Sequence, residues 1–158
     1  RMLNDYLQFA KTQAQENTSE INLSNLFNEI KKDLKNENLV LIDLKDSILK
    51  GRFFALKRCF ENVIQNGLTY GKKVYVNLQK GSNRIIINIE DDGPGISEDQ
   101  HKNVFKPFVR LDKSRSLNKS GVGLGLAIVE DIINSHGGNI QLGKSKYNGL
   151  QVKISLPF

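Results

Sequence analysis

An apolar alternation from Arg84 to Glu90 runs into Asp91-Asp92-Gly93-Pro94-Gly95, a segment that no strand can continue. The chain must turn there. Two glycines let its backbone turn sharply and let another group approach closely, and Asp91 stands at the end of the preceding strand. A second glycine cluster, Gly121-Val122-Gly123-Leu124-Gly125, opens a stretch with helical spacing of Leu124, Ala127, Ile128 and Ile132.

The remaining segments fit that frame. Leu3, Tyr6, Leu7, Ala10 and Ala14 predict a helix over residues 1–16, and residues 17–22 read as a polar linker to a unit spanning 23–158. A helix is expected to start near Ser24 as N-cap, with Leu26, Phe27, Ile30 and Leu34 inward. Strands are expected over 39–44, with a turn or strand at 46–51. A helix over 53–70 carries Leu56, Phe60, Val63, Ile64 and Gly67 on one side. Strands over 73–79 and 84–90 meet at Gly81-Ser82-Asn83. Ser97 reads as a further N-cap, and strands 139–143 and 150–156 form a hairpin about Asn148-Gly149. The expected architecture is a two-layer α/β sandwich with a mixed sheet and an N-terminal helical remnant.

At 158 residues, with 39% hydrophobic and 25% charged residues, the chain suits one globular domain. The single cysteine, Cys59, excludes an internal disulfide and a cysteine metal cluster. No apolar stretch approaches a membrane span and no signal peptide is expected, so any membrane anchor would lie elsewhere in a parent protein. The net charge of +6 is spread over scattered lysines, and nucleic-acid binding is not expected. The nearest basic group is Arg110, Lys113, Arg115 and Lys119, in a polar stretch without period that can attract a nucleoside triphosphate as readily as DNA.

Several residues can carry chemistry. Asn62 and Asn66 are one helical turn apart and share a face. Their amide oxygens suit a hard cation such as Mg²⁺, or they are a polar solvent face. Asp91 can accept a hydrogen bond from an exocyclic amine, or it belongs to an ordinary Asp-Gly turn. Free N–H groups at the glycine-led helix start favour phosphate, or the glycines serve only tight packing. Neither a Walker A loop nor a Rossmann fingerprint fits, because Gly125 precedes Leu126 rather than Lys and the cluster follows a long polar segment.

Taken in order, these segments resemble the boxes of sensor histidine kinases, and among them the osmosensing EnvZ type. Residues 60–67, Phe-Glu-Asn-Val-Ile-Gln-Asn-Gly, resemble the N box, 91–95 the first glycine box, 105–108, Phe-Lys-Pro-Phe, the F box, and 121–129 the second glycine box. Residues 5–10 are similar to the end of the dimerisation hairpin. The resemblance implies a Bergerat ATP-binding fold with ATP and Mg²⁺ as cofactors. Asn66 would ligate the metal and Asn62 support the phosphates. Asp91 would read the adenine amine, with Tyr70, Gly93, Gly95 and Ile96 around the base. Residues 109–120, with Arg110, would form a lid, and Gly121, Gly123, Leu124 and Gly125 would complete the nucleotide site.

ATPases of the same fold carry a glutamate four residues before the metal asparagine, where this chain has Asn62. Glu61 is adjacent but turned about 100° around the helix, so water attack should be poor and phosphoryl transfer favoured. Thr69 stands where the kinases commonly carry a cation. His101 precedes Lys102 and His136 precedes Gly137, and neither resembles a phosphoacceptor, which is followed by an acidic residue. His136 reads as a helix C-terminal histidine where positive charge is welcome. The expectation is a protein-histidine kinase fragment without its acceptor. Its partners would be a dimerisation domain of the same homodimeric kinase and a response regulator, and it would lie on the cytoplasmic side of an inner-membrane parent. A silent nucleotide-binding or interaction module and an ATPase of the same fold are the alternatives.

Overall fold

The computed structural model describes residues 16–105 and 125–158. The expectations for the helix over 1–15, for Lys106, Pro107 and Phe108, for the lid with Arg110, and for Gly121, Gly123 and Leu124 lie outside the described residues.

Seven strands and three helices make up the described chain. They are β1 (Ser19–Asn22), α1 (Leu23–Leu34), β2 (Leu39–Ile42), β3 (Ile48–Gly51), α2 (Phe53–Tyr70), β4 (Val74–Lys80), β5 (Arg84–Asp91), α3 (Gly125–Ser135), β6 (Asn139–Lys144) and β7 (Leu150–Pro157). Two short 3-10 turns, Glu98–Gln100 and Asn103–Phe105, precede α3. The main sheet has the order β2-β4-β5-β7-β6, with β2 parallel to β4 and every other pairing antiparallel. The mixed sheet of the sequence reading is therefore present.

Period-two alternation puts Val74, Val76 and Leu78 of β4, Ile85, Ile87 and Ile89 of β5, and Val152, Ile154 and Leu156 of β7 on one buried face. Leu56, Phe60, Val63 and Ile64 of α2 and Val129, Ile132 and Ile133 of α3 join them in one core. Phe27 of α1 packs on Phe60 with ring centroids 4.8 Å apart. Lys57 ties α2 to α1 through Glu29 and Asp33, each at 2.8 Å. On the opposite sheet face Asn77, Asn88 and Gln151 form a hydrogen-bonded ladder across three strands, which satisfies the buried Asn88 amide.

Three local readings change. Residues 19–22 are not only linker: they form β1, paired antiparallel with β3 through Ile21 opposite Leu49. A single apolar residue in Ser-Glu-Ile-Asn is too little to show a strand whose partner lies far along the chain. The cap of α1 is Asn22, whose side chain accepts the Asn25 N–H at 3.1 Å, while Ser24 sits inside the helix and donates to the same Asn22 oxygen. Ser97 leads only into a 3-10 turn and makes no side-chain cap bond.

Candidate functional site

Asp91 is the last residue of β5, in phase with Ile85, Ile87 and Ile89. Its side chain therefore leaves the sheet on the helix side, where it is only 3% exposed. The C-terminal half of α2 lies over it. A Cβ placed on Gly67 would stand 3.3 Å from Asp91 Cβ, 3.5 Å from its Oδ2 and 2.6 Å from Val74 Cγ2. So Gly67 is required by close approach of helix to sheet, a stronger reason than the helix loosening that its type alone suggests.

The other carboxylate oxygen, Asp91 Oδ1, accepts the N–H of Gly93 at 2.9 Å and of Leu150 at 3.1 Å. Gly93 itself passes so close to the end of α2 that a Cβ there would stand 2.8 Å from the Tyr70 carbonyl oxygen. Gly95 has φ +72°, the left-handed region, and faces Gly149 of the β6–β7 turn. Ile96 packs partly buried on the core, and its carbonyl oxygen lies 3.0 Å from His101 Nε2. Asp92 turns the other way, and its Oδ1 accepts the N–H groups of Lys72 at 2.7 Å and Lys73 at 3.0 Å. Burial raises its pKa, but the N–H groups of Lys73, Lys72 and its own residue outweigh that and hold it below the usual carboxylate range.

Asn62 and Asn66 are half-buried on α2, one turn apart, on the helix that ends at Tyr70 beside Gly93. Thr69 is exposed on the same helix. Gly125 is the first residue of α3, so the start of that helix does follow the glycine cluster. The structure brings Tyr70, Asp91, Gly93 and Gly95 together with Gly67 where the end of α2 meets the end of β5, while Asn62 and Asn66 lie further back on α2 and Ile96 follows Gly95 in the chain. Gly149 and Leu150 also belong there, and sequence reasoning missed them. Asn148-Gly149 signals a hairpin turn, and nothing in the dipeptide says that the turn folds against Asp91.

The far ends of the same two helices meet at a second junction. Glu16 accepts the N–H groups of Phe54 at 2.7 Å and Ala55 at 3.1 Å, at the start of α2. Next to it His136, just after α3, accepts the Arg52 N–H on Nε2 at 3.0 Å, and its Nδ1 lies 2.7 Å from the Ile132 carbonyl oxygen. Burial pushes the His136 pKa down, the Ile132 carbonyl pulls it up, Arg52 pushes it down and Glu16 pulls it up, with the net direction downward. This corrects the expectation that positive charge is welcome at this helix end: the ring serves as a neutral acceptor. Among the described residues no cluster of His, Cys, Asp and Glu could hold a metal, and no helix is long and apolar enough to cross a membrane.

A mixed five-stranded sheet with a buried strand-end aspartate lying under Gly67 of α2 is the arrangement that comparison with known proteins places among ATPase-like nucleotide-binding domains. The sequence profile of the histidine kinase-, DNA gyrase B- and HSP90-like ATPases matches residues 52–158, and the chain belongs to that family. It is 37% identical over 107 residues to the sensor histidine kinase GtrS of Pseudomonas aeruginosa, a match covering 68% of this chain and 22% of the relative. To the sensor histidine kinase CpxA of Escherichia coli K12 it is 39% identical over 110 residues, covering 69% of this chain and 24% of CpxA. The chain thus corresponds to under a quarter of each of these relatives. Its fold superposes on the histidine kinase domain of the E. coli osmosensor EnvZ with a TM-score of 0.65 and 32% identity, covering 88% of both chains. A mycobacterial sensor histidine kinase, MprB, gives a TM-score of 0.77 at 23% identity over 89% of this chain and 97% of that one, a likeness of fold.

Proposed function

We propose that this chain holds ATP for transfer of its γ-phosphoryl group to a histidine on a dimerisation domain of the same kinase. The observation that carries this reading is the buried Asp91 carboxylate, with one oxygen held by two backbone N–H groups and the other on the α2 side. In this reading Asp91 accepts the adenine amine, while Gly93, Gly95, Ile96 and Tyr70 border the base. Asn62 and Asn66 face the phosphates from α2, and Gly125 brings the N–H groups of α3 toward them.

The donor set fits Mg²⁺ modestly. Two half-buried neutral amides on one helix face suit a hard cation that keeps waters and phosphate oxygens around it, with Asn66 as ligand and Asn62 in support. When bound, the cation neutralises charge on the transferred group. The chain's own residues bind the base, orient the triphosphate and exclude water from its buried end. The acceptor imidazole nitrogen forms the new bond to phosphorus, the bond from the γ-phosphorus to its bridging oxygen breaks, and ADP leaves. His101 and His136 are not that acceptor in this reading, since His136 has both ring nitrogens engaged in the fold. Residues 1–16 would be the end of the dimerisation helix and residues from 23 onward the catalytic domain. The parent would be a homodimeric membrane sensor with this domain in the cytoplasm, passing phosphate on to a response regulator.

Calorimetric titration of Mg²⁺-ATP into the chain and its Asp91→Asn variant tests the reading. Binding by the unmutated chain, lost in the variant, is expected. Equal affinity in both removes Asp91 from the base site. Addition of the dimerisation domain should then yield labelled phosphohistidine on that domain, and its absence despite bound ATP rejects the transferase assignment.

A further inference from the structure

The Asp91 carboxylate is held from a direction that base recognition by the first glycine segment does not require. A carboxylate torsion is broad and two-fold, so Asp91 alone does not fix which oxygen faces a ligand. Here Oδ1 is fixed by Gly93 N–H on one side and by Leu150 N–H on the other. The second donor comes from β7, far away in sequence. It can reach Oδ1 only because Gly149 has no side chain. A Cβ there would fall closer to Asp91 Oδ1 and to the Asp91 carbonyl oxygen than real atoms approach, and would stand 2.6 Å from Gly93 N.

The turn that supplies this donor is itself anchored. Ser145 N–H donates to the Gly149 carbonyl at 2.9 Å and Asn148 N–H to the Ser145 carbonyl at 3.0 Å, with Asn148 at φ 80°. Tyr147 stacks on Tyr75 of β4 at 3.7 Å between centroids, and Lys146 N–H donates to Glu90 at 3.2 Å. Glu90 precedes Asp91 on β5, so the turn is bolted to the same strand end whose carboxylate it orients. These contacts tie the turn to β4 and β5 at the point where its Leu150 N–H meets Asp91 Oδ1.

We propose that Gly149 and the Leu150 N–H are specificity-determining positioning elements, which select a 6-amino purine over a 6-oxo purine by fixing Asp91 Oδ1 and directing Oδ2 at the base. This rests on the assignment of Asp91 to the base site. An exocyclic amine donates to Oδ2, whereas a 6-oxo group sets an acceptor against an acceptor. A carboxylate free to rotate, or displaced by a Cβ, accepts from the amine less well and opposes the oxo group less firmly.

The test is calorimetric titration of Mg²⁺-ATP and Mg²⁺-ITP into this chain and three variants. In Gly149→Ala the Cβ intrudes. Replacing the Gly149–Leu150 amide by an ester removes the Leu150 N–H and keeps its side chain, at the cost of a weaker Gly149 carbonyl acceptor for the Ser145 N–H. Asp91→Asn is the reference. We expect both turn variants to lose about tenfold or more in ATP affinity, the scale of one hydrogen bond to a charged group, and to change little toward ITP. The ATP-to-ITP ratio then falls toward that of Asp91→Asn. If both turn variants keep the unmutated ratio, or lose ATP and ITP equally, the selection role is overturned while Asp91 keeps its assignment. If Asp91→Asn itself binds ATP as the unmutated chain does, or the unmutated chain binds no ATP, the base-site assignment fails and this inference with it. Should Gly149→Ala not fold, as judged by circular dichroism, the ester variant decides alone.

Discussion

The Glu16 carboxylate accepts the backbone N–H of Phe54 at 2.7 Å, so a residue before the first strand caps the helix that carries Asn62 and Asn66. Its other oxygen takes the Ala55 N–H. Arg52, the N-cap position of α2, makes no side-chain cap bond of its own. Glu16 therefore satisfies N–H groups that would otherwise have no helical partner, with its charge at the favourable pole of the helix. Replacing it with Ala should cost about 1 kcal/mol, the usual value of an N-cap, and Gln should cost less. Chemical denaturation of the two variants measures this, and an unchanged midpoint in Glu16→Ala would show that water replaces the cap.

His136 should make stability depend on pH. Its folded pKa is depressed, first by burial, so the unfolded chain binds the proton more readily. Stability then rises with pH where the unfolded state holds more protons. The contribution is complete above the ordinary histidine value of about 6.5 and is lost as pH falls below it. Protonation also removes the acceptor for Arg52 N–H. Melting temperatures between pH 7.5 and pH 5.5 should fall more for the unmutated chain than for His136→Gln. Parallel decline of both would exclude His136 as the titrating group.

Asp91 and Asp92 are adjacent and alike in type, yet their variants should part company. Asp92 holds the turn between α2 and β4 through Lys72 and Lys73 N–H. Its depressed pKa means that its contribution is present above about pH 4, the unfolded carboxylate range, and is lost as pH falls through the folded value. Asp92→Asn should lower the melting temperature at pH 7 and leave the ATP-to-ITP ratio unchanged. Asp91→Asn should collapse that ratio. A collapse in Asp92→Asn would place Asp92 at the base instead.

Cys59 is fully buried on α2, and burial pushes its thiol far above the usual range. Thiol reagents should label it only after unfolding, so labelling rate reports global opening. Cys59→Ser should cost about 1–3 kcal/mol, because a hydroxyl there needs a partner. Rapid labelling of the folded chain would contradict the burial.

How far these features were readable from sequence varied with how local their cause is. Helix α2 was read at its observed bounds because Leu56, Phe60, Val63 and Ile64 announce its buried side. The sheet strands were read to within a residue or two, since Ile85, Ile87 and Ile89 alternate cleanly. Strand β1 escaped notice because its pairing with β3 is nonlocal and only Ile21 is apolar and buried. The cap of α1 went to Ser24 because Asn22 and Ser24 are equally good capping types, and only geometry separates them. Asp91 was legible from its place at a strand end. The hold of Leu150 on Asp91 was not, because a backbone N–H leaves no mark in a sequence.

Gly67 sets the spacing between α2 and the ends of β4 and β5, and its replacement is the sharpest test of that spacing. On helix propensity alone, Gly67→Ala should stabilise α2 by about 1 kcal/mol. Against this, the new Cβ would stand 2.6 Å from Val74 Cγ2, on a fully buried side chain, and 3.3 Å from Asp91 Cβ. Overpacking of this kind costs about 1–3 kcal/mol, so the balance should be a net loss of stability. To relieve the contact α2 must lift away from β4 and β5, which also draws Asn66 and Tyr70 away from Asp91. ATP affinity should fall together with the denaturation midpoint. A more stable Gly67→Ala chain with undiminished ATP binding would show that helix and sheet have room to part there, and that the glycine is not what brings them together.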